Sequence, residues 1–76
     1  MPKLPVVSGK RVVRALERGG FVFDRQRGSH VILRHHERRL SCSVPVHGSQ
    51  PVRRGTLDKI LEDAGLAVEE FRRVLK

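Results

Sequence analysis

Proton transfer near neutral pH falls first to histidine, and the sequence has four: His30, His35, His36 and His47. His30 has the most suggestive setting. It closes the string Arg25-Gln26-Arg27-Gly28-Ser29-His30 and opens the apolar run Val31-Ile32-Leu33. Gly28 allows a sharp backbone turn, and Ser29 adds a small hydroxyl. Arg25 and Arg27 are close enough in sequence to bind a phosphate or stabilise developing oxyanions. That inventory suffices for metal-free RNA cleavage. A base removes the ribose 2′-hydroxyl proton, the oxygen attacks the adjacent phosphorus, and cations stabilise the charge that develops. A neutral imidazole, with an unperturbed pKa of about 6.5, suits the first step. On this reading His30 is the general base, and Gly28 and Ser29 form its supporting turn. The competing reading is an ordinary strand-end histidine in solvent.

His47, two residues after Pro45, is a second candidate: it would protonate the 5′-oxygen leaving group, or it is a solvated loop residue. His35 and His36, beside Glu37, read as a polar hairpin connection rather than as metal ligands. Cys42 alternates with apolar neighbours and reads as a buried small hydrophobe. No cysteine pair or His-x-x-x-His spacing points to zinc, so neither a metal nor another cofactor is expected. Gly-rich phosphate loops, paired carboxylates and a Ser-His-Asp set are also missing from the sequence.

Charge says what such a site would meet. The net charge is +8, from 16 basic and 8 acidic residues. Residues 1–54 carry twelve basic and three acidic side chains, whereas residues 55–76 carry four and five. A basic body with a near-neutral tail predicts a surface for a polyanion, the plain alternative being a solvated surface with excess charge. Twelve of the basic residues are arginine, whose planar fork suits phosphate. A length of 76 residues predicts one small domain over 1–76, with a core built mainly from Val, Leu and Ile. The lone cysteine argues against a disulfide framework. The N-terminus has no apolar targeting segment and no run is long enough to span a membrane, so a cytoplasmic protein is expected.

The elements that must position His30 follow from pattern. Pro2 and Pro5 predict an extended lead-in, and Ser8 reads as a helix N-cap. In the helix that follows, Val12, Val13 and Leu16 form an apolar stripe. Arg11, Arg14 and Arg18 share another face, a ridge suited to tracking phosphates. Gly19 or Gly20 takes the left-handed position that ends it. Strands are predicted at about 21–25, 30–35 and 39–44, with Pro45 ending the ladder for want of an N–H. The third strand alternates cleanly, with Leu40, Cys42 and Val44 on one face. The second does not, and Val31-Ile32-Leu33 leaves open which face carries His30. A polar loop over 46–51 leads to a helix from Arg53 or Thr56 to Ala64, ended by Gly65. A short helix from about Val68 to Leu75 follows, with Phe71 as its apolar anchor. The short loops predict an antiparallel three-stranded meander in an α+β layer, in the α-β-β-β-α order of the double-stranded-RNA-binding fold.

Several short pieces, in this order and spacing, resemble one family. They are Leu4-Pro5-Val6-Val7-Ser8-Gly9-Lys10, Gly20-Phe21, and Arg25-Gln26-Arg27-Gly28-Ser29-His30. Val44-Pro45-Val46-His47, Gly55-Thr56-Leu57 with Ile60-Leu61, and Ala64-Gly65-Leu66 before Val68-Glu69-Glu70-Phe71 complete the set. From about Pro5 to Leu75 the chain resembles the HicA (YcfA-like) family of bacterial mRNA interferase toxins. The resemblance implies a double-stranded-RNA-binding-like fold and translation-independent cleavage of mRNA by a ribonuclease toxin. It also implies a cognate HicB-type antitoxin that binds the toxin and blocks its active site. The family's catalytic histidine falls on His30, and Gly28 and Ser29 match the motif around it. His47 matches a Pro-x-His element common in the family. Ala67 is a departure, standing where many relatives carry a serine that caps the last helix.

Two other functions fit the residues. A non-catalytic RNA-binding module would use Arg11, Arg14 and Arg18 on phosphates and would not need His30. A protein-interaction domain would use its basic face on an acidic protein.

Overall fold

The computed structural model describes residues 4–75; Pro2, half of the expected lead-in, lies outside them. Six elements follow in order: α1 (Gly9–Arg18), β1 (Val22–Arg27), β2 (His30–His35), β3 (Leu40–Pro45), α2 (Arg54–Ala64) and α3 (Val68–Val74). The sheet is antiparallel with strand order β1-β2-β3, and α1 and α2 pack on β3. This is the α+β architecture, with the α-β-β-β-α order, that the patterns predict.

Local chemistry accounts for the helix ends. Ser8 is extended, and its hydroxyl oxygen accepts the Arg11 N–H at 3.4 Å, capping α1. Gly20 rather than Gly19 takes the positive φ that ends it. Ala67 supplies no side-chain cap to α3. Glu70 instead accepts the Ala67 N–H at 3.0 Å, half of a capping box, and the helix starts at Val68 all the same.

The core lies between the helices and the inner face of β2 and β3. Val12, Ala15 and Leu16 of α1 meet Val31, Leu33, Cys42 and Val44 from the sheet, Leu57, Ile60, Leu61 and Ala64 from α2, and Phe71 from α3. β2 alternates after all: Val31 and Leu33 are buried, while His30 and Arg34 are exposed. β1 differs from its expectation in extent. It runs from Val22 to Arg27, and all six residues are exposed, including Val22 and Phe23. Its apolar residue that does reach the core is Phe21, just before the strand. β1 is the edge strand farthest from β3, so the helices packed on β3 leave it bare.

The third strand also departs from its expectation, because Pro45 belongs to the ladder opposite His30. The Val46 N–H donates to the Ser29 carbonyl at 2.7 Å, so pairing continues one residue past the proline. That bond sets the phase. Ser29 and Val46 form a hydrogen-bonded pair, so His30 and Pro45 form a non-hydrogen-bonded one, and the proline nitrogen points away from β2. No ladder donor is lost there. On the outward side the Pro45 carbonyl meets α1, and a Cβ built on Gly9 would lie 2.1 Å from that oxygen.

His35 acts structurally. Its ring packs edge-on against Phe21 at 5.2 Å, and its Nδ1 accepts the Arg38 N–H at 3.3 Å, closing the β2–β3 connection. Cys42 is buried, and its thiol pKa is pushed up from 9.0 to about 11, first by burial and then by the charge of Asp63.

Three measurements check this packing. Gly9→Ala should cost about 1–3 kcal/mol of stability in urea unfolding, because backbone must give way. Gly55→Ala, in α2 with open space around it, should instead raise stability by about 0.5–1 kcal/mol. Native Cys42 should resist thiol reagents at pH 8 and react once the chain unfolds. Its folded pKa lies above its unfolded one, so its contribution to stability should fall as pH rises from 9.0 to about 11.

Candidate active site

The turn that delivers His30 is a two-residue hairpin loop. Gly28 and Ser29 lie between the paired residues Arg27 and His30. Gly28 has φ +60°, and Arg39 is the only non-glycine with positive φ among the described residues, so Ser29 lies in the ordinary region. A glycine at the first central position with positive φ is the type II′ pattern, whose twist suits a hairpin. The Gln26 side-chain amide donates to the Gly28 carbonyl at 3.0 Å, steadying the loop.

His47 is held close by. The bond from Val46 to Ser29 joins the residues immediately before each histidine. The Gln50 N–H donates to the His47 carbonyl at 3.0 Å, making a turn of residues 47–50. Farther on, the Val52 N–H donates to the Val7 carbonyl at 2.8 Å, and Ser8 bridges to Pro51. Both ends of the loop are therefore tied down. Between it, the hairpin end and the start of α2 lies a cleft of about 410 Å³, lined by His30, Pro45, His47, Gln50, Arg53 and Thr56, with Pro51 and Val52. Neither aspartate nor glutamate lines it. Among the described residues no group of three or more His, Cys, Asp and Glu side chains is assembled to hold a metal.

On the sheet's outer face the arginines are sorted by a bulge. The β1–β2 register shifts between Phe23 and Arg25, so Val22 pairs with Arg34, Arg25 with Ile32 and Arg27 with His30. Strict alternation from Val22 would send Arg25 and Arg27 to the opposite face. The extra residue, Asp24, reverses the parity, and cross-strand partners share a face. Arg25, Arg27, His30 and Arg34 thus stand on one side. Asp24 accepts from Arg25 at 2.6 Å and from Arg34 at 3.2 Å, in a partly exposed pairing that screening weakens.

The residues singled out in the sequence therefore divide into groups. His30 and His47 meet at the cleft, and Gly28 and Ser29 form the turn beside it. Arg25 and Arg27 join His30 on the open face. Arg11, Arg14 and Arg18 line a separate small recess with Leu75, away from the cleft. There Arg11 donates to the Leu75 carbonyl at 3.3 Å and Arg18 to the Val74 carbonyl at 2.9 Å, where the end of α3 favours cations. Sequence reasoning missed Gln50, Arg53 and Thr56 as lining residues. The signals were there, in the resemblance over Gly55-Thr56-Leu57 and the basic pair where α2 begins.

Gly28 gives a direct check on the turn. A Cβ there would touch nothing within 4 Å, so any cost is conformational. Gly28→Ala should lose about 1–2 kcal/mol in urea unfolding, and Gly28→Asn clearly less, because asparagine tolerates positive φ.

No helix among the described residues is long and apolar enough to cross a membrane. A comparison with curated proteins gives no match. The family model of the HicA toxin of bacterial toxin–antitoxin systems matches residues 9–66. That span, well over half of the chain, includes every residue of the cleft and the whole sheet. The chain belongs to the HicA toxin family and is the toxin of a bacterial toxin–antitoxin pair.

Proposed function

We propose that this toxin is an endoribonuclease that cleaves mRNA in the cytoplasm, with His30 as general base and no metal. The observation that carries the reading is the placement of His30. It is exposed at the rim of a cleft without carboxylates, on the same sheet face as Arg25, Arg27 and Arg34. A neutral imidazole there can take the 2′-hydroxyl proton while guanidinium groups hold the phosphate backbone. Arg11, Arg14 and Arg18 extend the basic surface. Arg11 donates to the Leu75 carbonyl just past α3, and a guanidinium has five N–H donors.

The antitoxin in this reading is of the HicB type and silences the toxin by covering His30. The ring already lies at the surface, so occlusion needs no rearrangement of the toxin.

The α-β-β-β-α order favours a second reading, a non-catalytic RNA-binding module. Cleavage separates the two; salt-sensitive binding belongs to both. His30→Ala should slow RNA cleavage by about 10²–10⁴-fold. Its unfolding free energy should stay within about 0.5 kcal/mol, because the side chain is exposed. Products should carry 2′,3′-cyclic phosphate ends, and chelator should leave the rate unchanged. Full activity in His30→Ala would sink the assignment of the base, and an inert wild-type protein would favour the binding module.

A further inference from the structure

His30 and His47 owe their common place to backbone. The residues just before them, Ser29 and Val46, are joined by the 2.7 Å bond that extends the β2–β3 ladder, so both histidines follow the same rung. The His47 loop is then closed by its own turn and fixed at its far end to the segment before α1. A loop pinned at both ends presents its histidine at a defined position, as a catalytic group requires and a merely solvated one does not. The other charged side chain lining the cleft is Arg53. A phosphodiester entering this space meets two imidazoles, one guanidinium and no opposing carboxylate.

We propose that His47 is the second catalytic residue, the general acid that protonates the 5′-oxygen as the RNA chain breaks. This rests on reading His30 as the base, and the chemistry then balances. His30 takes the 2′-hydroxyl proton, and the bond from the 2′-oxygen to phosphorus forms. The bond from phosphorus to the 5′-oxygen breaks, and His47 gives its proton to that oxygen. The products are a 2′,3′-cyclic phosphate and a 5′-hydroxyl. No water is consumed and no electrons are transferred. His30 ends protonated and His47 neutral, and exchange with solvent through the exposed rings resets both. Arg53, at the start of α2, holds the non-bridging oxygens.

The test uses two oligonucleotides carrying the strongest site that the wild-type toxin cuts in total RNA. One is ordinary; the other has sulfur in place of the 5′-oxygen that leaves. A thiolate departs without protonation, so the sulfur substrate has no need of an acid. His47→Ala should cut the ordinary substrate about 10²–10⁴-fold more slowly than wild type. It should cut the sulfur substrate within about tenfold of wild type. His30→Ala should be slow on both. His47→Gln repeats the comparison should the alanine variant fold poorly, with thermal unfolding as the control.

Each contrary result has its own meaning. If His47→Ala matches wild type on the ordinary substrate while His30→Ala is inactive, His47 is idle and the base assignment stands. Equal slowing on both substrates would make His47 a substrate-holding residue and overturn the acid role. Rescue of His30→Ala by sulfur would exchange the two roles and overturn the proposal as stated. Undiminished activity in both variants would remove the base assignment and this one together.

Discussion

The hydrogen bond from the Val46 N–H to the Ser29 carbonyl determines most of what matters in this small fold. It sets the phase of the β2–β3 ladder, so that Pro45 falls opposite His30 in a pair that exchanges no backbone hydrogen bonds. With the register shifted by one residue, the proline nitrogen would face β2 with nothing to donate. Were β2 rather than β3 the strand to turn over, the His30 ring would face the core instead, and Val31 and Leu33 would turn out of it. The same phase aims the Pro45 carbonyl outward against Gly9, where absence of a side chain lets α1 begin tight against the sheet. Helix, strand and hairpin turn are thus locked to one another within a few residues of the cleft.

A second constraint acts on the opposite edge. β1 is uncovered by helices and contributes little to the core, so burial does not dictate which face each of its side chains takes. The bulge at Asp24 decides it instead. By adding one residue, it brings Arg25 and Arg27 to the face of His30, and its own carboxylate reaches Arg25 and Arg34. The arrangement concentrates positive charge while restraining two of the guanidinium groups that carry it. Exposed arginines held by a local carboxylate lose less side-chain freedom when a phosphate arrives than unrestrained ones do.

What could be read from the sequence was whatever depends on near neighbours. The Ser8 cap, the apolar stripes of α1 and α2, the clean alternation of β3 and the Gly28 turn are all properties of a few consecutive residues, and they stand where the patterns put them. Cys42 is the buried hydrophobe its neighbours indicated. What was misread, left open or not seen depends on a long-range relation. Pro45 ends a ladder only if its nitrogen must face a partner, and that depends on register. Val31-Ile32-Leu33 is ambiguous in isolation because Ile32 is apolar on an outer face, a choice no local pattern reveals. The bulge at Asp24 depends on how β1 meets β2, and the apolar character of Val22 and Phe23 carried no information about burial on an edge strand. Arg53 and Thr56 lie more than twenty residues from His30 and reach the cleft only through the packing of α2 on β3.

These constraints bear on how a toxin of this kind can be controlled. The cleft's walls come from a hairpin end, a loop tied at both ends and the start of a helix, all anchored to a single core. Both histidines sit on backbone fixed by hydrogen bonds, the Val46–Ser29 bond before them and the Gln50–His47 turn after His47. If His30 carries the chemistry, the toxin presents it at the surface, already assembled beside the cleft. A body that covers the rim or competes for its charge would then control it. A strongly basic open face beside an exposed histidine favours such a partner on both counts, since acidic contacts to the arginines would bring it over the ring. The surface that attracts the substrate is then the surface that the inhibitor must occupy, and affinity for one cannot be tuned independently of the other.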